Sequence, residues 1–148
     1  MATRSLIGIV EDDGSVRAIY CHWDGYPAGN GALLRDHYKD PDKIRKLISL
    51  GSISSLCEEV APPQGVKHSY DHPLPNVTVA YMRDRGESEE GNLPYKFDSV
   101  DAYVHSPEMQ DWGYLFENGT WSVIANEGGG RKKMTLTQVL QGDEKAAE

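Results

Sequence analysis

The chain lacks several features that would assign it to a familiar class. Its apolar runs stay well below the roughly 20 residues that a membrane-spanning helix needs. The apolar stretch after Arg4 ends at Glu11 and is too short for a secretory signal. The only two cysteines are Cys21 and Cys57. Without an export signal we expect them to be reduced, and we expect a cytoplasmic protein that does not associate with membranes.

Signatures of metal, phosphate and dinucleotide binding are also absent. Neither CxxC nor HExxH occurs, and His68 and His72 lie among prolines that disfavour a regular helix. The glycine-rich turn at residues 25–31 continues into Ala-Leu-Leu, whereas a phosphate-binding loop needs Gly-Lys-Ser/Thr. The sequence therefore predicts no bound metal and no cofactor.

Basic residues are scarce, and the acidic ones are concentrated in the middle of the chain. The 148 residues include 15 Lys or Arg and 23 Asp or Glu, which gives a net charge of −8. Residues 84–117 carry nine of the acids and only two bases. This composition disfavours direct binding to nucleic acid, whose affinity comes mainly from Lys and Arg. It favours either a host protein with a basic surface as partner or simple solubility.

The acidic segment supplies the first candidate binding surface. Its candidate partner-binding residues are Asp84, Glu87, Glu89, Glu90, Asp98 and Asp101. Residues 83–92 are charged and contain glycine, which is typical of a mobile, solvated loop. The segment is therefore either a partner-binding surface or a solubilising one.

Aromatic and ionisable side chains are densest at residues 19–27, where the sequence is IYCHWDGYP. The candidate partner-binding residues of this alternative surface are His22, Trp23, Asp24 and Tyr26. Adjacent residues of a strand point to opposite faces, so Cys21 and His22 cannot form a catalytic pair by themselves. A cysteine enzyme would need a histidine from elsewhere in the fold. The sequence predicts no catalytic residue.

Hydrophobic patterns predict a single α+β domain over residues 1–142, with an antiparallel sheet of hairpins and helices packed on one face. Strands are expected at residues 6–10, 16–23, 77–82, 112–116 and 120–125. Asp-Gly and Asn-Gly turns join the first and last pairs into hairpins. The glycines at residues 128–130 predict a flexible break, and residues 143–148 predict a frayed tail.

The clearest helix signal covers residues 40–50. Asp40 is a favourable N-cap, and Pro41 suits the first helical position. Ile44, Leu47 and Ile48 form one apolar stripe, which we expect to be buried against the sheet.

Residues 5–38 resemble a family of small proteins carried by bacteriophages, prophages and other mobile elements. The resemblance rests on the motifs at residues 5–7, 13–15 and 19–27, on Gly29 and on Leu33-Leu34, and extends more weakly to residue 51. It implies a genetic setting and no particular reaction. Small acidic phage accessory proteins often bind and disable a host enzyme, including nucleases of defence systems, and some do so by presenting carboxylates that mimic the phosphates of DNA. The prediction is an inhibitory protein-binding function through the acidic surface; the alternative is a small intracellular enzyme with a Cys/His site at residues 21–24.

Overall fold

The computed structural model describes residues 2–127 and 130–147. They form a single α+β domain around an eight-stranded sheet. The strands are β1 (Ser5–Val10), β2 (Val16–Cys21), β3 (Ile53–Ser55), β4 (Val79–Ala80), β5 (Tyr95–Phe97), β6 (Trp112–Glu117), β7 (Thr120–Glu127) and β8 (Gly130–Thr135). The helices are α1 (Ala32–His37), α2 (Pro41–Ser49), α3 (Tyr81–Arg85), α4 (Val100–Val104) and α5 (Leu136–Ala147), and a π-helical turn, Pro27–Gly31, precedes α1.

The sheet is mixed, so the prediction of a purely antiparallel sheet is wrong. Its order is β4-β3-β2-β1-β6-β7-β8, and β5 also pairs with β2. The predicted hairpins β1–β2 and β6–β7 are both present and antiparallel. They join through a parallel ladder between β1 and β6, and β2 and β3 are also parallel. The residues of each turn specify its hairpin, so both hairpins can be predicted from local sequence. The pairing of one hairpin with the other depends on which side chains distant in sequence are buried together, and local sequence does not show this.

Helices cover both faces of the sheet, which corrects the prediction of helices on one face. Ile7 and Ile19 belong to one core, together with residues of α1, α2 and α5. Leu6 and Ala18 point to the opposite face, where Tyr103 of α4 completes a second, smaller core. Because side chains alternate between the two faces along β1 and β2, these strands contribute residues to both cores.

Helix α2 is confirmed as predicted. The Asp40 carboxylate accepts a 3.0 Å hydrogen bond from the Asp42 amide and caps the first turn. Ile44, Leu47 and Ile48 are buried in the first core.

Other predicted boundaries differ from the structure. The strand expected at residues 77–82 is reduced to β4, because the chain turns into α3 at Tyr81. Strand β8, rich in Lys and Arg, had no hydrophobic signal and was not predicted. The backbone of α5 runs to Ala147 where a frayed tail was expected. The predicted glycine break falls largely on residues 128–129, which lie outside the described residues, as does Glu148.

Candidate functional site

The segment that follows β2, here called the aromatic loop (residues 22–27), is held firmly to the sheet. The amides of His22 and Trp23 donate to Ile53 and Ser54 of β3, at 3.1 and 3.0 Å. Asp24 then adopts φ +58°, a left-handed conformation that Asp tolerates better than most residues.

Gly25 fixes the position of the loop against the first strand. Its amide donates to the Thr3 carbonyl at 2.8 Å, and its own carbonyl accepts a 2.6 Å bond from the Tyr114 hydroxyl. A Cβ atom at Gly25 would lie 2.8 Å from the Thr3 carbonyl oxygen, so a larger residue does not fit. The need for glycine here comes from this close approach of two backbones.

A buried amide closes the loop from the other side. The Asn30 backbone amide donates to the Asp24 carbonyl at 2.8 Å, and its side-chain nitrogen donates to the Trp23 carbonyl at 3.0 Å. Asn30 itself is buried. The result is a rigid loop on which Trp23 and Tyr26 remain 44% and 43% exposed.

His22 links the aromatic loop to the sheet surface beside it. Its Nδ1 lies 2.7 Å from the Tyr20 hydroxyl, and its ring meets the Trp23 ring edge-on at a centroid distance of 4.7 Å. Burial raises the pKa of Tyr20, with Arg4 acting in the opposite direction. Tyr20 is therefore protonated near neutral pH and can take part in this hydrogen bond as a donor.

Tyr20 also lines a cleft of about 360 Å³, here called the tyrosine cleft. The cleft lies where two strands share one edge of β2: β5 pairs with Val16 to Ala18, and β3 pairs with Cys21. Between these two pairings, Ile19 and Tyr20 are paired with neither strand. The residues that line the cleft include Tyr20, Tyr81, Arg85, Glu87, Tyr95 and Gln110.

The segment after α3, here called the acidic loop (residues 86–92), forms one wall of this cleft. The Asn92 carbonyl accepts a bond from the Ser52 amide at 2.9 Å, and its side-chain nitrogen donates to the Ser88 carbonyl at 2.9 Å. Gly51, at φ +75°, leaves room for the Asn92 carbonyl oxygen, which a Cβ atom would overlap. Residues 83–85 of the predicted loop belong to α3 instead. Hydrogen bonds within the remaining residues 86–92 and to Ser52 hold this part of the chain, and Glu87, Glu89 and Glu90 are exposed on it.

The six carboxylates predicted to form one acidic surface lie in different environments in the structure. Glu87 lines the tyrosine cleft, and Glu89 and Glu90 lie on the same loop. Asp98 and Asp101 are exposed at the start of α4, which packs on the same face as Tyr20, and the Asp101 side chain is 90% exposed. Neither of them lines the cleft.

Asp84 does not belong to the exposed acidic surface. Its side chain is 3% exposed and accepts hydrogen bonds from the Arg83 guanidinium and from the Ala80 amide, at 2.8 and 2.7 Å. Burial acts to raise its pKa, but these hydrogen bonds outweigh it and lower the pKa below the usual value of 3.8. Asp84 is a structural carboxylate, because a charged side chain with satisfied donors around it can be buried.

His68 has a structural role beside Asp84. Its side chain is fully buried, with Nε2 3.1 Å from the Thr78 carbonyl oxygen and Nδ1 accepting a 2.9 Å hydrogen bond from the Leu74 amide. Its two ring nitrogens therefore hold the proline-rich connection between β3 and β4. Within the described residues there is no group of three His, Cys, Asp or Glu arranged to hold a metal ion.

The geometry speaks against a cysteine nucleophile at residues 21–24. Cys21 is fully buried, and burial raises the pKa of its thiol to about 12. Its sulfur contacts the Asn30 side chain at 3.3 Å and lies on the face of the sheet opposite Tyr20. Burial also raises the pKa of Cys57. Both thiols therefore stay protonated near pH 7, whereas a nucleophile needs the thiolate.

The sequence identified the two loops and missed the cleft between them. Tyr81, Tyr95 and Gln110 come from three different segments, and no local pattern connects them. The only usable signal was the presence of several tyrosines near polar residues. No described helix is long and apolar enough to cross a membrane. No family model, curated protein or solved structure matches the chain.

Proposed function

We propose that this chain is a protein-binding module whose contact surface consists of the aromatic loop, the tyrosine cleft and the acidic loop. The observation that carries the proposal is the position of Tyr20. Its hydroxyl lies 2.7 Å from His22, and the same residue lines the cleft together with Glu87. Tyr20 thus connects the aromatic loop, through His22, with the acidic loop, through Glu87, and this connection supports treating the two loops as one surface.

The aromatic loop has the properties of a binding anchor. Binding energy at protein interfaces is concentrated in a few residues, among which Trp and Tyr are enriched. Trp23 and Tyr26 are exposed, while the backbone that carries them is fixed by hydrogen bonds to Thr3, Tyr114 and Asn30. A fixed loop loses little conformational entropy when it binds, which favours affinity.

The acidic loop sets the chemistry of the partner. Glu87, Glu89 and Glu90 lie within four residues of the sequence. Of these, Glu87 lines the tyrosine cleft, and Arg85 is the one Lys or Arg that lines it too. The Arg85 guanidinium lies over the Tyr70 ring and 3.7 Å from Glu87, so its charge is partly used within the protein. The remaining negative charge favours a partner with a basic surface and accelerates its association.

The resemblance to proteins of phages and mobile elements supplies the biological setting of the proposal. The proposed partner is a basic host protein in the bacterial cytoplasm. A host enzyme that acts on nucleic acid, such as a nuclease of a defence system, has the basic groove that this surface would occupy. Binding there would inhibit the enzyme by excluding its substrate.

Affinity capture from a bacterial lysate, followed by mass spectrometry, tests the proposal. The wild-type chain should enrich a basic protein that Trp23→Ala loses. The triple variant Glu87→Gln, Glu89→Gln, Glu90→Gln should retain much less of it. The matched control changes three exposed acids outside the surface, Asp12→Asn, Glu59→Gln and Asp71→Asn, and should capture as the wild type does.

Two results would contradict the proposal. Equal capture by the wild type and both surface variants would remove the surface from the interaction. If the surface triple variant and its control lose equal amounts of captured partner, the acidic loop acts only through the net charge of the protein.

A further inference from the structure

A second cleft, of about 450 Å³, lies on the opposite side of the sheet between the β6–β7 hairpin, α1 and the start of α5. Its apolar floor is the cross-strand pair Phe116 and Trp121, whose rings meet at 61° with their centroids 5.2 Å apart. Leu136 completes the apolar lining. The volume falls within the usual range for a small-molecule site.

A hydrogen bond holds the Trp121 ring in the floor of this cleft and uses the only polar atom of the indole. The Trp121 indole N–H donates to the Tyr38 carbonyl at 2.8 Å, which fixes the ring. Only carbon surface of this ring is then left to contact a ligand. A planar apolar ring is the group that packs best on two aromatic side chains arranged in this way.

The rim of this cleft is positive in a protein of net charge −8. Arg35 lies beside Asp36, with Nε 2.8 Å from Oδ1, and these two charges balance. The hydrogen bond from Arg35 lowers the pKa of Asp36 against the opposite effect of burial, and the charges of His37 and Lys39 lower it further. Lys39 also lines the cleft and supplies the excess positive charge.

We propose that this cleft binds a small organic anion that carries a planar apolar ring, such as an aromatic carboxylate. The ring packs on Phe116 and Trp121, and the carboxylate lies towards Lys39. The tyrosine cleft lies on the other face of the sheet, and the two clefts share no lining residue. Loss of one function by mutation therefore leaves the other intact.

The test uses the full chain labelled with nitrogen-15 and naphthalene-2-carboxylate as the probe. The three tryptophan indole N–H signals are assigned with the variants Trp23→Phe and Trp112→Phe. On titration the Trp121 signal should shift saturably, while those of Trp23 and Trp112 stay in place. The uncharged naphthalene-2-carboxamide has the same ring and should bind more weakly.

Charge is tested by a matched pair of lysine variants. Lys39→Gln should weaken the naphthoate affinity by about two- to five-fold, as expected for one exposed charge. Lys46→Gln removes an exposed lysine of α2 that does not line the cleft and should leave the affinity unchanged. The proposal is overturned if the Trp121 signal does not move, if the carboxamide binds equally well, or if both lysine variants behave alike.

Discussion

The hydroxyl of Tyr114, in β6, donates a 2.6 Å hydrogen bond to the carbonyl of Gly25, 89 residues earlier in the chain. Tyr114 is itself fully buried in the first core. The aromatic loop is therefore tied to the interior of the sheet, although its side chains face solvent. This attachment explains how an exposed loop can have a fixed shape.

Tyr114→Phe should loosen the aromatic loop. The substitution leaves the Gly25 carbonyl without its donor, and we expect a loss of about 1–3 kcal/mol in the free energy of unfolding. Urea denaturation measures this loss, and hydrogen exchange should show reduced protection of the Gly25 and Asn30 amides. Tyr103→Phe removes a 2.7 Å bond to the Tyr114 carbonyl in the second core and serves as control. A control that exposes the loop amides equally would show that the Tyr114 hydroxyl has no special role.

Gly25→Ala should be more disruptive than an ordinary glycine substitution. The new Cβ atom would approach the Thr3 carbonyl oxygen to 2.8 Å and Ser5 Cβ to 2.9 Å. Overpacking of this kind costs about 1–3 kcal/mol, measurable by thermal or urea unfolding. Gly142→Ala, in α5 with open space around it, should instead stabilise the fold slightly because alanine favours helix. Equal effects of the two substitutions would contradict the close approach at Gly25.

Asp84→Asn should reduce stability rather than affinity. The carboxylate bonds to Arg83 and to the Ala80 amide and lies 3.3 Å from His68 Nε2. Its pKa is lower in the folded state than in the unfolded chain. Its contribution to stability is therefore full above about pH 4 and is lost as the pH falls through the folded pKa. Asp101→Asn, at a highly exposed position, should lower the free energy of unfolding in urea much less than Asp84→Asn does.

The two cysteines should be poorly reactive in the folded protein. Because burial raises the pKa of Cys21 to about 12, its thiol stays almost entirely protonated at pH 8. Cys57 is half-buried, and its raised pKa slows its reaction with thiol reagents as well. A thiol reagent such as DTNB should modify Cys57 slowly and Cys21 only after unfolding. Rapid modification of Cys21 in the native state would revive the enzyme alternative.

Local signals predicted the parts of the fold that are determined locally. Helix α2 has an N-cap, a proline at its first position and an apolar stripe, and all three signals indicate a helix over the same residues. Strands β3, β4 and β5 contain two or three residues each, too few for a recognisable period. Strand β8 is polar because it lies at the edge of the sheet, where Lys and Arg discourage pairing with other chains.

The candidate site was predictable only in pieces. Composition drew attention to Trp23 and to the glutamates of the acidic loop, because exposed aromatics and charge runs are visible in a sequence. The connection between them depends on Tyr20, which lies between the parts of β2 that pair with β5 and with β3. Asp84 was misplaced because composition does not distinguish a buried, bonded carboxylate from an exposed one.

The most direct test of the protein-binding surface is the association rate constant of the captured partner, measured by stopped flow at low and high salt. For the wild type the rate should fall as salt rises, because the charges of the acidic loop attract the basic partner. The triple variant of Glu87, Glu89 and Glu90 should associate more slowly with a flatter salt dependence. The control triple variant of Asp12, Glu59 and Asp71 should retain the wild-type dependence. The same salt dependence in all three proteins would contradict the proposed role of the acidic loop.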